Sequence, residues 1–178
     1  MDIKSKIRTI PDWPKPGIMF RDITTLLKDP EGLRDTVNLL VNRYKDSNQF
    51  KIDVVCGIEA RGFILGSAIA YEMGLGFIPL RKKGKLPGKT YQQDYDLEYG
   101  TDTLEIHTDA ISDGQNVLLV DDLLATGGTA LGALKLIQKS GGHVTEACFV
   151  VDLPDLGGGS KLSASGLPWF TLVEFEGE

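Results

Sequence analysis

Asp121 and Asp122 close the apolar run Val117-Leu118-Leu119-Val120 and stand just ahead of Ala125-Thr126-Gly127-Gly128-Thr129. A Gly/Thr turn that opens a helix presents successive backbone N–H groups, and the helix dipole makes them an anion seat. Glycines let the backbone approach a phosphate closely, and threonine hydroxyls add donors. Two carboxylates beside such a seat would repel a phosphate unless they serve another partner. Vicinal sugar hydroxyls fit, and so does a divalent cation. A phosphorylated ribose satisfies every part of the loop. No Gly-Lys-Ser/Thr follows, so this is not a Walker loop, and the Rossmann glycine spacing is missing too. A second chemical group is the basic run Arg81-Lys82-Lys83-Gly84-Lys85. Its glycine and its place after an apolar stretch fit a phosphate-binding lid better than a plain solvated face.

The elements that must carry these groups alternate. Ile3, Ile7 and Ile10 suggest a short amphipathic helix over residues 2–9, capped by Asp2. Pro11, Pro14 and Pro16 then pin a loop that runs through Phe20-Arg21-Asp22-Ile23-Thr24. Asp29-Pro30 starts a helix with the stripe Leu33, Val37, Leu40, Val41 and Tyr44. Asp53–Ile58 reads as a buried strand, Glu59–Gly62 as a turn, Phe63–Glu72 as a helix stopping at Gly74, and Phe77–Leu80 as a strand. Residues 82–89 read as a mobile loop, and Tyr95–His107 as an antiparallel pair flanking it. Val117–Val120 is the clearest strand. A helix should run from the Gly/Thr turn through Lys139, followed by strands over Val144–Val151 and near Phe170, Leu172 and Phe175. Gly157-Gly158-Gly159 suggest a loosened loop after the last core strand. This alternation implies an α/β fold with a mostly parallel central sheet and helices on both faces. The turns after Ile58 and Val120 then lie at the carboxyl ends of strands, where such sheets bind ligands.

The 178 residues suffice for one domain spanning 1–178. A formal net charge of −6 argues against tracking a nucleic-acid backbone. Glycine, at 21 of 178 residues, exceeds the usual ~7% and suggests tight turns near a ligand. Cys56 and Cys148 sit in apolar stretches and read as small buried hydrophobes; with His107 and His143 they form no zinc spacing. There is no apolar leader and no run of ~20 apolar residues, so a cytoplasmic protein free of membrane partners is expected.

The string Val117–Thr129 resembles the phosphoribosyl pyrophosphate signature of type I phosphoribosyltransferases. Four more blocks resemble the adenine-specific branch of that family: Pro16-Gly17-Ile18-Met19-Phe20-Arg21-Asp22-Ile23-Thr24, Gly57-Ile58-Glu59-Ala60-Arg61-Gly62-Phe63, Arg81–Gly88 and Tyr95-Asp96-Leu97-Glu98-Tyr99-Gly100. They keep the family's order from about Pro16 to about Val151. Ala60 departs, standing where relatives often carry Ser or Thr. The resemblance implies that adenine attacks the anomeric carbon of phosphoribosyl pyrophosphate, giving AMP and pyrophosphate, as in purine salvage. It implies Mg²⁺ as cofactor and a homodimer in which Arg81 can reach a neighbouring site. Residues 1–25 become an N-terminal helix and base-recognition segment, and residues 82–100 a flexible catalytic lid.

The same resemblance assigns roles. Glu98 and Arg61 are catalytic, Glu98 as the acid–base group and Arg61 also as a pyrophosphate grip with Arg81, Lys82 and Lys85. Asp121, Asp122, Ala125, Thr126, Gly127, Gly128 and Thr129 hold the ribose and its 5′-phosphate, with Asp122 expected to be the more exposed acid and Asp121 free to cap the turn. Met19, Phe20, Arg21 and Leu123 take adenine, Phe20 and Leu123 sandwiching the base. Glu59 and Asp122 are candidates for the metal, largely through water and substrate oxygens. Two rivals remain: a related enzyme for hypoxanthine or xanthine, and a phosphoribosyl pyrophosphate-sensing regulator on the same fold. The Phe20-Arg21-Asp22 segment disfavours the first, and the net charge of −6 disfavours an RNA-binding form of the second.

Overall fold

The computed structural model describes residues 2–45 and 47–177. Met1, Asp46 and Glu178, which the single-domain reading includes, lie outside the described residues. The N-terminus departs from expectation. Asp2 does accept a bond from the Ser5 N–H (3.3 Å), but only one 3₁₀ turn forms, over Lys4–Lys6. The chain is extended by Ile7, because β1 (Arg8–Ile10) pairs antiparallel with β2 (Phe20–Asp22) and this pairing overrides helical spacing. Ile3 and Ile7 are still buried. The prolines do exclude regular structure between these strands, but the second half of the expected loop is strand β2 followed by helix α1 (Thr24–Lys28). Asp22 makes that turn. Its carboxylate accepts from the Thr24 N–H (2.9 Å) and hydroxyl (2.7 Å) and pairs with Arg8.

Helix α2 (Pro30–Tyr44) starts as expected, with Asp29 accepting from the Gly32 N–H at 2.9 Å and proline in the first turn. Val37, Leu40, Val41 and Tyr44 bury its stripe. Then follow β3 (Val54–Ile58), α3 (Arg61–Met73), β4 (Gly76–Lys82), β5 (Thr90–Asp96), β6 (Thr101–His107), β7 (Asn116–Val120), β8 (Leu123–Leu124), α4 (Gly128–Lys139), β9 (His143–Asp152), α5 (Gly158–Ala164) and β10 (Trp169–Glu174). The large sheet has the order β10-β9-β7-β3-β4-β6-β5, with β8 beside β9. The strands β10, β9, β7, β3 and β4 run parallel; β6 joins β4 and β5 antiparallel.

Both faces of the parallel part are covered, so its strands read as continuous apolar runs. On one face Val117, Leu119 and Phe149 pack with Ala133, Leu136 and Ile137 of α4. On the other, Leu118, Val120 and Val150 pack with Leu40 of α2, Leu65 and Ile69 of α3, and Ile7 and Ile23 of the N-terminal segment.

Three boundaries matter for the site. The Glu59–Gly62 turn is shorter than expected, because α3 begins at Arg61. Residue 82 is not loop: β4 extends through Lys82, whose Cα pairs with Leu104 of β6. The expected lid is therefore a hairpin, β5–β6, registered from Thr90↔His107 to Asp96↔Thr101, with irregular chain only over residues 83–89 and 97–100. Gly158 and Gly159 form the start of α5 rather than a loosened loop.

Candidate active site

Three carboxyl-terminal strand ends, those of β3, β4 and β7, meet at a cleft of about 220 Å³. The turn after β3 supplies Glu59, Ala60 and Arg61; β4 supplies Lys82; the chain after β7 supplies Asp121, Asp122, Leu123, Ala125, Thr126, Gly127 and Thr129. These are expected site residues from segments far apart in the chain. Gly127 has φ +84°, a left-handed conformation that only glycine adopts without strain, and this bends the loop into α4. A Cβ there would also press on the Gly158 carbonyl of α5, 3.1 Å away. No side chain caps the start of α4, so its first N–H groups face the cleft without a side-chain partner.

The acids differ from expectation. Asp122 is the buried one, 6% exposed, because the Arg61 Nε donates to its Oδ2. Asp121 is less buried by its surface yet densely surrounded, and its Oδ1 accepts the Asp122 N–H at 2.9 Å, the turn-capping role expected of it. Burial first, and then the Asp122 charge beside it, holds the Asp121 carboxyl well above the usual carboxylate range. Arg61 is raised too: desolvation opposes this, but Asp122 outweighs it.

Arg81 and Lys82, at the end of β4, are each matched to an acid. Arg81 Nε donates to Glu59 Oε1 at 2.7 Å. Lys82 Nζ lies 2.5 Å from Asp102 Oδ2 and also touches the Tyr95 hydroxyl. Desolvation works against the Lys82 charge, yet Asp102 and Tyr95 keep its pKa above the ordinary value. The Asp102 carboxyl is correspondingly lowered, chiefly by Lys82.

A second, larger cavity of about 570 Å³ adjoins the first. Glu98 lines it, together with Tyr95, Asp96, Gly128 and Lys135, and Thr126 borders both. Here the hairpin arm lies directly on α4. A Cβ at Gly128 would stand 2.0 Å from the Asp96 carbonyl oxygen, so only glycine admits this approach. Glu98 thus shares a cavity with Thr126 and Gly128 of the Gly/Thr turn, its side chain exposed. The tip of the same hairpin reaches the N-terminal loop, where Lys15 Nζ sits 3.9 Å from the Tyr99 ring centroid.

Other expected residues stay apart. Lys85 is exposed beyond β4; only its carbonyl meets Arg81, at 3.4 Å. Leu123 borders the first cleft, but Phe20 is not among its lining residues and instead meets Trp13 edge-on at 4.5 Å. Met19 is 37% exposed. Arg21 donates to the Thr9 hydroxyl (2.6 Å) and the Gly177 carbonyl (3.2 Å) and stacks on Phe175, so its side chain holds the C-terminal tail. His107 contacts the Pro87 carbonyl at 2.8 Å. Both cysteines are buried, and burial pushes the Cys148 thiol up to about 12. Sequence reasoning missed Asp102 and Tyr95, whose signal was the antiparallel register that sets them opposite each other. It also missed β8, a strand too short to show periodicity.

A parallel sheet covered by helices on both faces, with an antiparallel hairpin at one edge, is the type I phosphoribosyltransferase fold. The chain belongs to that family: the phosphoribosyl transferase domain matches residues 22–161. Within it the relatives are adenine phosphoribosyltransferases. That of Parvibaculum lavamentivorans is 62% identical over 177 residues, 99% of each chain. The crystal structure of the Thermoanaerobacter pseudethanolicus protein is 46% identical, with a TM-score of 0.92 over 98% of each chain. That of the Saccharomyces cerevisiae protein, complexed with an imino-altritol bisphosphate and adenine, is 38% identical, with a TM-score of 0.87 over 97% of each chain.

Proposed function

We propose that the chain is a single phosphoribosyltransferase domain that transfers the phosphoribosyl group to adenine, yielding AMP and pyrophosphate. The observation that carries this reading is the cleft in which the Arg61–Asp122 pair faces the uncapped start of α4. The α4 N–H groups and the Thr126 and Thr129 hydroxyls take the 5′-phosphate. Asp121 and Asp122 accept from the ribose hydroxyls. Arg61 turns from Asp122 to the pyrophosphate oxygens as substrate enters, joined by Arg81 and Lys82, with Lys85 following when the chain over 83–89 closes. Adenine sits against Leu123, and the Met19-Phe20-Arg21 segment, which lies outside that cleft, moves toward the base to meet it. At the reacting carbon, the bond to pyrophosphate breaks as the bond to the base nitrogen forms, through an oxocarbenium-like state. Glu98 manages the proton on the imidazole ring of the base. The hairpin excludes water that would otherwise hydrolyse the sugar.

The donor set fits a magnesium ion carried mainly by substrate. The described residues offer no cluster of three or more ligating side chains, but Glu59 and Asp122 place two carboxylates at the cleft. Mg²⁺ commonly binds through one or two carboxylates plus phosphate oxygens and water. When bound, it would neutralise charge on the leaving pyrophosphate. A homodimer in which Arg81 reaches a neighbouring site is part of this proposal, as the family resemblance implies. No helix among the described residues is long and apolar enough to cross a membrane, and a cytoplasmic setting is part of this proposal.

The test supplies Mg²⁺ and phosphoribosyl pyrophosphate with each purine in turn and identifies the nucleotide formed. Adenine is expected to give AMP with the highest kcat/KM. A higher kcat/KM for hypoxanthine, xanthine or guanine would transfer the chain to another base, and no turnover with any of them would favour a sensing role.

A further inference from the structure

Lys82 occupies an unusual position between the two cavities. It ends β4 and lines the smaller cleft beside Arg61 and Asp122. Its Nζ nevertheless reaches away to the hairpin, 2.5 Å from Asp102 Oδ2 and in contact with the Tyr95 hydroxyl. Tyr95 and Asp102 face each other across the β5–β6 ladder, and the Tyr95 hydroxyl donates to Asp102 at 3.3 Å. The Tyr95 side chain is packed so closely on α4 that a Cβ at Gly132 would come within 2.6 Å of its Cβ and 3.0 Å of its ring. Tyr95 therefore anchors the hairpin to the core while its hydroxyl end meets the cleft lysine. From this anchored pair the chain runs a few residues to Glu98 on one side of the turn and returns to Asp102 on the other.

We propose that Asp102 is a positioning residue that couples anion occupancy of the cleft to the arm carrying Glu98. With the cleft free of anion, Asp102 holds Lys82 and draws β6 onto β4. A polyanion in the cleft competes with Asp102 for the same ammonium group. Lys82 then leaves the hairpin, and the turn holding Glu98 is released from β4 while Tyr95 keeps its footing on α4. The lid thereby senses whether the pyrophosphate group is in place. This rests on the reading of the smaller cleft as the pyrophosphate site. Asp102 itself touches no reacting atom; Thr103 N–H donates to its other oxygen at 2.8 Å, which fixes its orientation in the turn.

A competing carboxylate weakens an anion's hold on a lysine, and a partly exposed pair of this kind is worth up to about 1 kcal/mol, or about fivefold in binding. The probe is magnesium pyrophosphate, titrated calorimetrically into the full chain and into Asp102→Asn, Lys82→Gln and the double variant. Asparagine keeps the acceptor for Thr103, and Asp102→Thr serves as the second variant if Asp102→Asn melts early. Asp102→Asn is expected to bind pyrophosphate about fivefold tighter and to lower KM for phosphoribosyl pyrophosphate while kcat falls. Lys82→Gln should weaken pyrophosphate, and adding Asp102→Asn to it should change nothing further. Unchanged or weaker pyrophosphate binding in Asp102→Asn, with Lys82→Gln weakened, overturns the coupling and leaves Asp102 a hairpin brace. Unchanged binding in Lys82→Gln removes the pyrophosphate reading of the cleft itself, and the coupling with it.

Discussion

The two ends of the parallel sheet use the same chemistry for opposite purposes. At the amino end of β9, Glu146 is 3% exposed and accepts both Arg43 Nε and a second Arg43 nitrogen at 2.7 Å, and the Tyr44 hydroxyl at 2.6 Å. Arg43 also lies over the Phe50 and Phe170 rings, at 5.2 and 4.1 Å from their centroids. Arg43 keeps about a third of its side chain in solvent (31%), but both Glu146 oxygens and the two rings hold its guanidinium. At the carboxyl ends, the pairs Arg61–Asp122, Arg81–Glu59 and Lys82–Asp102 border open clefts, and each cation keeps part of its side chain in solvent. A guanidinium gripped by both oxygens of a carboxylate whose side chain is itself 4% exposed resists exchange, since breaking the pair strands the buried acid. A half-open pair can trade its partner for an incoming phosphate at little cost. How each cation is held, and whether its pair borders a cleft, differ between the two ends; the residue types do not.

The largest expected effect sharpens the closed end. Glu146→Ala strands the Arg43 charge and the buried Tyr44 hydroxyl, and should cost about 3 kcal/mol of stability in urea unfolding. Its kcat/KM, measured well below the melting temperature, should match the parent. A matching loss of activity would merge the two ends. At the open end, Asp122→Asn and Thr126→Ala should each weaken phosphoribosyl pyrophosphate by about tenfold to a hundredfold, or ~1.5–3 kcal/mol, with adenine little affected. Equal binding by calorimetry in variant and parent would remove this loop from the site.

Glu98→Gln keeps size and hydrogen bonding but cannot exchange a proton. Its kcat should fall at least tenfold, by about 1.4 kcal/mol or more, with little change in either KM. A near-normal kcat would leave Glu98 a shape-giving residue of the hairpin. The smallest effect concerns Asp22, at the end of β2. Burial opposes its charge, but Arg8 and the Thr24 groups win and hold its carboxyl below the ordinary value. A lowered carboxylate stabilises the fold above its unfolded value, and that stability is lost as pH falls through the folded one. Asp22→Asn should therefore flatten the acid limb of the urea midpoint below about pH 4, by under ~1 kcal/mol. An unchanged limb would show that Arg8–Asp22 contributes nothing there.

Much of the sheet was legible because parallel strands covered on both faces leave unbroken apolar runs, as Val54–Ile58 and Val117–Val120 do. The acid pair and the Gly/Thr turn were legible because their chemistry is local: a helix start and its glycines lie within one short string. What the sequence hid was pairing at a distance. Ile3, Ile7 and Ile10 carry helical spacing, yet the β1–β2 hairpin claims Ile10 through Phe20. Asp122 was taken as the exposed acid because Arg61, distant in sequence, could not be seen to close on it. The role of Arg21 as a clamp on Phe175 and Gly177 depends on the far end of the chain. Asp102 carries no signal in the string itself; only the register that sets it opposite Tyr95 gives it a partner.

The contrast between the two ends is tested most directly by the side-chain N–H signals of Arg61 and Arg43 in a nitrogen-15 NMR titration with magnesium pyrophosphate. The account predicts that the Arg61 Nε–H signal moves as its bond to Asp122 gives way to phosphate, while the Arg43 signal, held by Glu146, stays in place. An Arg61 signal unmoved at saturating pyrophosphate, or both signals moving together, would contradict it.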